Sequence, residues 1–303
     1  MTYNFCTLFD KNYLYKGLAL YYSIRDNCSD FRLWILCMDD ASFNILQEMS
    51  LVNVELIPLK RMEDEKLLSV KQIRNAGEYS WTTKPYLVLY IFEKYPNTET
   101  LIYLDADLFF FSSPAPIYEE LKNNSIILTP HYFIKGGKEL EKKRGKYNAG
   151  FIFFKNDKIS KKCLLWWREK CLEWCYHRLE NGKLGDQMYL NHWQRLFKKI
   201  HNIKHPGVNI GPWRLVESAI KENNNKIFIN ETPLILFHFH NLQIFPKLKI
   251  YTNRNNIIYK RYYKELKKAI NNVKKVDQNF KFGFSSKPQI KTIIKHQIAK
   301  LFK

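Results

Sequence analysis

The chain has 303 residues, 46% of them hydrophobic and 16% aromatic, with a formal net charge of +20. That is enough apolar material for one large domain or a domain with an appendage, so most of the chain should be globular. No apolar run approaches the about 18 residues of a spanning helix, and no signal peptide precedes Thr2-Tyr3-Asn4-Phe5, so a cytosolic protein is expected. The six cysteines (Cys6, Cys28, Cys37, Cys163, Cys171, Cys175) show no CxxC pairing and read as buried, reduced thiols. The charge is uneven. From Leu242 onward sixteen Lys and Arg face only Glu265 and Asp277, a net +14 of the +20, so the basicity belongs mainly to the C-terminal part.

In chain order, Tyr3–Phe9 reads as a buried strand ending at Asp10, and Asp10-Lys11-Asn12-Tyr13 as a turn. Tyr15–Arg25 has a helical apolar pattern. Phe31–Met38 is a strand closed by Asp39-Asp40, Phe43–Met49 a short helix and Val52–Pro58 a third strand. Lys66–Ala76 and Trp81–Lys94 read as helices, the second with Pro85 in its first turn, where proline is tolerated. Leu101–Phe111 is strand-like, Ile117–Leu121 a helix, Ser125–Thr129 a strand, and Lys135–Lys146 a polar, mobile loop. Tyr147–Phe154 is a strand and Lys161–Arg178 a Trp- and Cys-rich helix. Gly185-Asp186-Gln187 opens a helix over Met188–Phe197, His205–Trp213 is a loop, and Leu234–His240 is the last strand. Strands alternating with helices at this spacing imply βαβ units and a mostly parallel sheet, which binds ligands at the carboxyl ends of its strands. Asp10, Asp39-Asp40 and Asp105/Asp107 all fall at such ends.

The stretch Leu104-Asp105-Ala106-Asp107-Leu108 stands out. If the strand runs through it, the two acids share one side, because successive side chains alternate. Paired carboxylates at the end of a buried strand are costly unless a cation lies between them. Oxygen ligands without Cys suit Mg²⁺ or Mn²⁺ rather than Zn²⁺. The competing reading ends the strand at Leu104 and leaves both acids solvated. Other polar groups at strand margins also have ordinary explanations. Asn148 could make a turn, Asp186 could be a helix N-cap, and His238 and His240 could be core histidines, although their alternation would put two imidazoles on one face.

Taken together and in order, these motifs give a resemblance. The chain resembles the GT-A fold glycosyltransferases, closest to glycosyltransferase family 8, the glycogenin and bacterial lipopolysaccharide galactosyltransferase group, over roughly residues 1 to 245. Asp10-Lys11-Asn12-Tyr13 is similar to the family's nucleotide-base turn, whose tyrosine stacks on the base. Tyr103-Leu104-Asp105-Ala106-Asp107 looks like its DxD motif, which holds a divalent metal against the donor diphosphate. Asn148-Ala149-Gly150 matches its Asn-Ala-Gly, whose Asn faces the donor sugar. Gly185-Asp186-Gln187 is similar to its Asp-Gln pair beside the reacting centre, and His238-Phe239-His240-Asn241 to its late His-x-x-Gly, which supplies the third metal ligand. Here Asn241 replaces the glycine and Phe245-Pro246-Lys247 is the nearest match to the family's Lys-Pro-Trp. His238 and His240 therefore both stand as the third ligand, with motif alignment favouring His238.

The resemblance implies an α/β, GT-A (Rossmann-like) nucleotide-diphospho-sugar transferase domain over residues 1–250. It implies Mn²⁺ or Mg²⁺ held by Asp105, Asp107 and His238 or His240, and catalytic roles for Asn148, Asp186 and Gln187. Donor contacts would come from Thr7, Asp10, Asn12, Tyr13, Lys84, Asp105 and Lys247, with Lys84 equally readable as a surface charge. Asn209 and Trp213 are candidates for the acceptor platform. The implied reaction is metal-dependent, retaining transfer of a hexosyl group, from a UDP-sugar above other donors, to a saccharide or lipid-linked saccharide in surface glycan or lipopolysaccharide synthesis.

Residues 255–303 read as a basic helical tail. Tyr259–Val276 is a basic helix, and Ile290, Ile293, Ile294, Ile298, Leu301 and Phe302 form one apolar stripe flanked by lysines. Such a segment suits an anionic membrane, the competing reading being a helix folded back on the domain with a solvated basic face; with no nucleic-acid module in the chain, peripheral association with the inner face of the cytoplasmic membrane is expected. A nucleotidyltransferase would want a Gly-rich loop after the first strand, and Thr7–Tyr13 has no glycine. A non-catalytic basic membrane- or nucleic-acid-binding protein is the alternative from another class.

Overall fold

The computed structural model describes residues 2–133, 137–215, 218–246 and 256–286. The chain begins β1 (Tyr3–Phe9), α1 (Leu14–Asn27), β2 (Phe31–Cys37), α2 (Asp40–Met49), β3 (Val54–Pro58), α3 (Glu65–Lys71), α4 (Ala76–Lys94) and β4 (Thr100–Leu104). It continues β5 (Leu108–Phe110), α5 (Ala115–Leu121), β6 (Ile126–Pro130), α6 (Gly137–Arg144), β7 (Tyr147–Lys155) and α7 (Lys158–Glu173). After a 3-10 turn at Gln187–His192 come α8 (Trp193–Leu196), β8 (Ile200–Asn202), β9 (Ile220–Asn223), β10 (Lys226–Ile229), β11 (Thr232–Pro233), β12 (Leu236–His238) and α9 (Ile257–Val276).

Among the described residues, seven strands form one sheet in the order β3-β2-β1-β4-β7-β6-β8. It is parallel except at β7, which runs antiparallel to both β4 and β6. Strand alternation sorts side chains between two cores. Phe5, Ile102, Leu104, Phe151 and Phe153 face the core under α1, α2 and α9, while Cys6, Leu101, Tyr103, Ile152 and Phe154 face the one under α3, α4 and α7. Both faces are covered, as a mostly parallel sheet requires. All six cysteines are free and buried.

Several elements differ from the sequence reading, for identifiable reasons. The helix carrying Pro85 starts earlier, at Ala76, because Asn75 and Glu78 form a capping box, so Pro85 lies inside it. The expected Lys66–Ala76 helix stops at Lys71. The polar segment before β7 contains α6, an eight-residue helix with no buried residue. The stretch at Asp105–Asp107 is not continuous strand. β4 ends at Leu104, the Leu108 amide bonds the Asp105 carbonyl at 3.1 Å to close a turn, and β5 leaves the main sheet to pair with β12.

The basic segment expected as a tail is, over α9, a layer of the domain. Tyr259, Tyr262, Leu266, Ala269, Ile270 and Val273 are buried on the α1 side, Asn272 Nδ2 donates to Tyr22 Oη at 2.9 Å, and Tyr262 stacks on Phe239 at 3.7 Å. Amphipathicity announces an apolar stripe without saying what covers it, and here the covering is the core. After α9 the chain runs back across the base of α1. Phe280 and Phe284 pack on Tyr15 at 5.8 and 5.3 Å, Phe282 lies under Lys11 Nζ at 4.5 Å, and Ser285 N donates to Ile244 O at 2.7 Å. Gly283, at φ +81°, fits against Tyr15 and the Asn12 carbonyl, where a Cβ would come within 2.9 Å of the Tyr15 ring. The stripe at Ile290–Phe302 and Lys247 lie outside the described residues.

Candidate active site

The site is built where β1, β4 and β7 end or begin, closed from one side by β12. Register does the placing. Antiparallel pairing of β5 with β12 sets His238 opposite Leu108, and Phe239 N donates to Asp107 O at 2.9 Å, so His238 comes to rest beside Asp107. His238 Nε2 lies 3.0 Å from Asp107 Oδ1. From the other side the Asp105 amide bonds the Gly150 carbonyl at 2.8 Å, tying the start of the turn to β7. One donor atom from each of Asp105, Asp107 and His238 lies within 4.8 Å of the others. The carboxylates converge because the chain turns at Asp105–Leu108, not because a pleated strand puts them on one face.

Two observations show that this cluster fits a divalent ion. Two carboxylates and an imidazole are a hard donor set suited to Mn²⁺ or Mg²⁺. The approach is also kept open by Gly150, where a Cβ would fall 2.6 Å from His238 Cε1 and 2.8 Å from Asp105 Oδ2. Burial alone would raise the Asp107 carboxyl, but His238, Lys16 and His240 outweigh it and hold it well below the usual carboxylate range. His240 is exposed, its Nε2 3.0 Å from Asn241 Nδ2 and its ring 5.6 Å from that of His238, and it stands outside the three-residue cluster.

Lys84 is buried, so its reading as a surface charge is wrong. It comes from α4 under the sheet, with Nζ 3.0 Å from both Asp105 Oδ1 and Asp186 Oδ2 and 3.4 Å from the Ala149 carbonyl. Burial would lower its pKa; Asp105 and Asp186 reverse that and hold it above the ordinary lysine value. Tyr103 Oη donates to the same Asp105 Oδ1 at 2.9 Å, leaving Oδ2 turned toward Gly150 and His238. Asp186 is not a helix cap: its side chain makes no capping bond and pairs with Lys84. Burial pushes its carboxyl up, and Lys84 opposes that.

Beside the acids, Asn148 and Gln187 are locked by a buried amide network. Gln187 Oε1 accepts from Ala149 N at 3.1 Å and its Nε2 donates to Arg144 O at 2.6 Å. Asn148 Oδ1 accepts from Gly150 N and from Asn209 Nδ2, both at 3.0 Å, and its Nδ2 lies 3.3 Å from His131 Nε2. His131 Nδ1 is 3.0 Å from the Gly145 carbonyl, so it donates there and offers Nε2 as the acceptor for Asn148. Burial, reinforced by His238 and His240, brings His131 down to about 4, which keeps that tautomer neutral. Asn209, expected at an acceptor platform, is buried behind Asn148 with its Nδ2 also on Thr129 Oγ1 at 2.8 Å. Trp213 does border the site, its ring 5.4, 5.8 and 6.1 Å from those of His131, His238 and His240.

At the end of β1, Asp10 shapes the expected base turn, accepting from Asn12 N at 2.9 Å, from Asn12 Nδ2 at 2.8 Å and from Tyr13 N at 3.2 Å. The Tyr13 ring is 44% exposed, open to a stacking partner. Thr7 is fully buried within β1 with its hydroxyl unpaired. Sequence reasoning missed His131 and Lys16. The signal for Lys16 was a lone cation in an otherwise uncharged, apolar helical run directly after Tyr13; for His131 it was a polar residue just beyond an apolar strand.

A family model described as glycosyl transferase family 8 matches residues 4–240. Two Bacillus subtilis (strain 168) proteins described as uncharacterized, YfnF and YfnD, are 34% and 30% identical over 300 and 297 residues; the alignments cover 95% and 94% of this chain and 99% and 96% of theirs. Among solved structures, an active-site mutant of LgtC superposes with a TM-score of 0.61 at 14% identity, covering 88% of this chain and 96% of the other. The galactosyltransferase LgtC in complex with donor and acceptor sugar analogues superposes with a TM-score of 0.58 at 15% identity and the same coverage. At that identity the likeness is one of fold, the GT-A fold.

Proposed function

This chain belongs to glycosyl transferase family 8, a family of nucleotide-sugar glycosyltransferases, and from that premise we propose that it moves a hexosyl group from a UDP-sugar to a saccharide or lipid-linked saccharide in a metal-dependent, retaining reaction. The observation that carries this reading is the convergence of Asp105, Asp107 and His238 across Gly150, next to the fixed amides of Asn148 and Gln187. Asp105, Asp107 and His238 would hold a Mn²⁺ or Mg²⁺ ion, which would supply positive charge toward a departing diphosphate. Tyr13 offers a face to the base, while Asn148 and Gln187 present amides to the donor sugar. Lys84 pairs with Asp105 and Asp186 and holds both carboxyl groups in place. Retention is the route the family favours, and with the acceptor approaching the face the diphosphate leaves it needs no strong protein nucleophile. Asp186 is buried and held by Lys84, and Gln187 is an amide, so the leaving phosphate is the proposed base for the acceptor hydroxyl.

A panel of UDP-, GDP- and CMP-sugars tests the reading by nucleotide release. The expected result is release from a UDP-sugar that EDTA abolishes and Mn²⁺ restores, with the anomeric configuration kept in the product. Failure of every nucleoside diphosphate to bind in a Mn²⁺-dependent way would favour a scaffold that has kept the fold without the chemistry.

An anionic membrane surface is the proposed docking partner, placing the enzyme at the inner face of the cytoplasmic membrane beside a lipid-linked acceptor. Its support is the lysine-flanked apolar stripe in the sequence of residues 287–303, joined by α9, whose outer face exposes Lys260, Lys264, Lys267 and Lys274. No helix of the described residues is long and apolar enough to cross a membrane. The full chain is expected to sediment with vesicles rich in anionic lipid, and changing those four lysines to glutamate should release much of it. Undiminished sedimentation of that variant would remove α9 from the interface.

A further inference from the structure

Lys16 occupies an unusual place for a cation. It lies in the first turn of α1, a helix in which every residue from Leu14 to Ile24 is buried, and only 7% of its own surface is exposed. Burying an ammonium is costly unless it is paired and hydrogen-bonded. Among the described residues, its Nζ lies over the face of the Tyr13 ring, 4.3 Å from the centroid, and the Asp107 carboxylate, though not paired with it, favours its charge. Neither relation is a hydrogen bond, so the ammonium has no protein acceptor there.

Those two neighbours mark the two ends of a nucleotide donor in the reading above, with the base on Tyr13 and the diphosphate at the Asp105–Asp107–His238 cluster. A chain of phosphates leading from one to the other would run near an ammonium that lies on the Tyr13 ring and feels the charge of Asp107. We infer that Lys16 is a diphosphate-binding residue of the donor site, donating from Nζ to a phosphate oxygen, an inference that rests on the proposed donor-binding function. The phosphate supplies the acceptor that the protein lacks, and a charge-assisted hydrogen bond offsets the burial of the cation. The rival role is that of a fixed counter-ion for Asp107. The two roles differ in sign. A counter-ion holds the metal cluster together, whereas a phosphate ligand sits beside a metal site it mildly repels.

Three titrations of the full chain separate them, each comparing wild type with Lys16→Met, which keeps the length of the stem and removes the charge. The probes are Mn²⁺ alone, uridine alone, and UDP with saturating Mn²⁺. The variant is expected to bind UDP about tenfold to a hundredfold more weakly, the range of one hydrogen bond to a charged group. It should bind uridine equally well and Mn²⁺ alone at least as well, and melt no lower than wild type. Equal UDP affinity in the two proteins overturns the inference, as does a parallel loss of Mn²⁺ binding, which would make Lys16 the counter-ion. If the methionine variant is unstable, Lys16→Gln goes through the same titrations. A wild-type protein that binds neither UDP nor GDP with Mn²⁺ defeats the donor-binding reading itself, a result distinct from wild-type binding that Lys16→Met leaves unchanged.

Discussion

Replacing Asp107 with alanine is expected to lower transfer by about a thousandfold or more while leaving the fold in place. The rate estimate follows from removing a preorganised group that stabilises developing charge, by itself worth about a hundredfold to a thousandfold, together with the loss of a metal ligand. The fold should survive because the turn is held by backbone: Phe239 N on Asp107 O and Leu108 N on Asp105 O are both kept in the variant. The variant should nevertheless melt lower than wild type, because His238, Lys16 and His240 more than offset the burial of the carboxylate and would lose their partner. Far-UV dichroism below that melt should resemble wild type while Mn²⁺-dependent donor turnover disappears. Gly150→Ala should reach the same end by another route, since its methyl would press on His238 and Asp105 Oδ2 without deleting any ligand. An Asp107→Ala protein that turns donor over at the wild-type rate, with or without metal, would remove the metal assignment.

Lys84→Met should be more damaging to the fold than to any single contact with donor. The ammonium sits 3.0 Å from two carboxylates, and breaking a buried pair by removing one partner costs about 3–5 kcal/mol, because the other charge is left buried and alone. The loss would be read as a lower urea midpoint at unchanged slope. Its pH dependence follows from Asp186. Burial already pushes that carboxyl up, and the variant lacks the ammonium that opposes the rise. A carboxyl whose folded pKa lies above its unfolded value favours the folded state at low pH and loses that advantage as pH rises through the folded value. The deficit relative to wild type should therefore shrink as the pH falls from about 8 toward about 5. A variant as stable as wild type at neutral pH would mean that the ammonium does not bridge these acids.

The fold class was legible in the sequence because it rests on local signals, and the ordered motifs named the acids that tertiary pairing brings together with His238. Short apolar strands bounded by Asp10, Asp39 and Asp105 gave the parallel half of the sheet, and the ordered motifs gave Asp105, Asp107, Asn148 and Gln187. What was illegible depended on which face of an element meets what. Lys84 looks like any helical surface lysine until α4 is laid under β4 and β7. Strand periodicity treated His238 and His240 alike, but β12 ends at His238, and only His238 is carried by the pairing with β5 to Asp107. Asp186 at the start of a turn fits a cap by composition, and a tertiary partner claimed it instead. The basicity of α9 drew attention to its exposed face while its apolar face was completing the core beside Phe239.

The segment that packs Phe280, Phe282 and Phe284 around Tyr15 and Lys11 gives the Asp10–Tyr13 turn an order of assembly. A ribosome delivers that turn long before it delivers the backing at Phe280–Phe284, and domains fold as units during synthesis. A nascent chain can thus possess the described strands of the sheet, α9 and the Asp105, Asp107 and His238 cluster while the turn still lacks support. Under the proposed function, nucleotide binding would mature only once residues 280–284 have emerged, and a messenger cut short after α9 would yield a product with the acids in place and a loosened Asp10–Tyr13 turn.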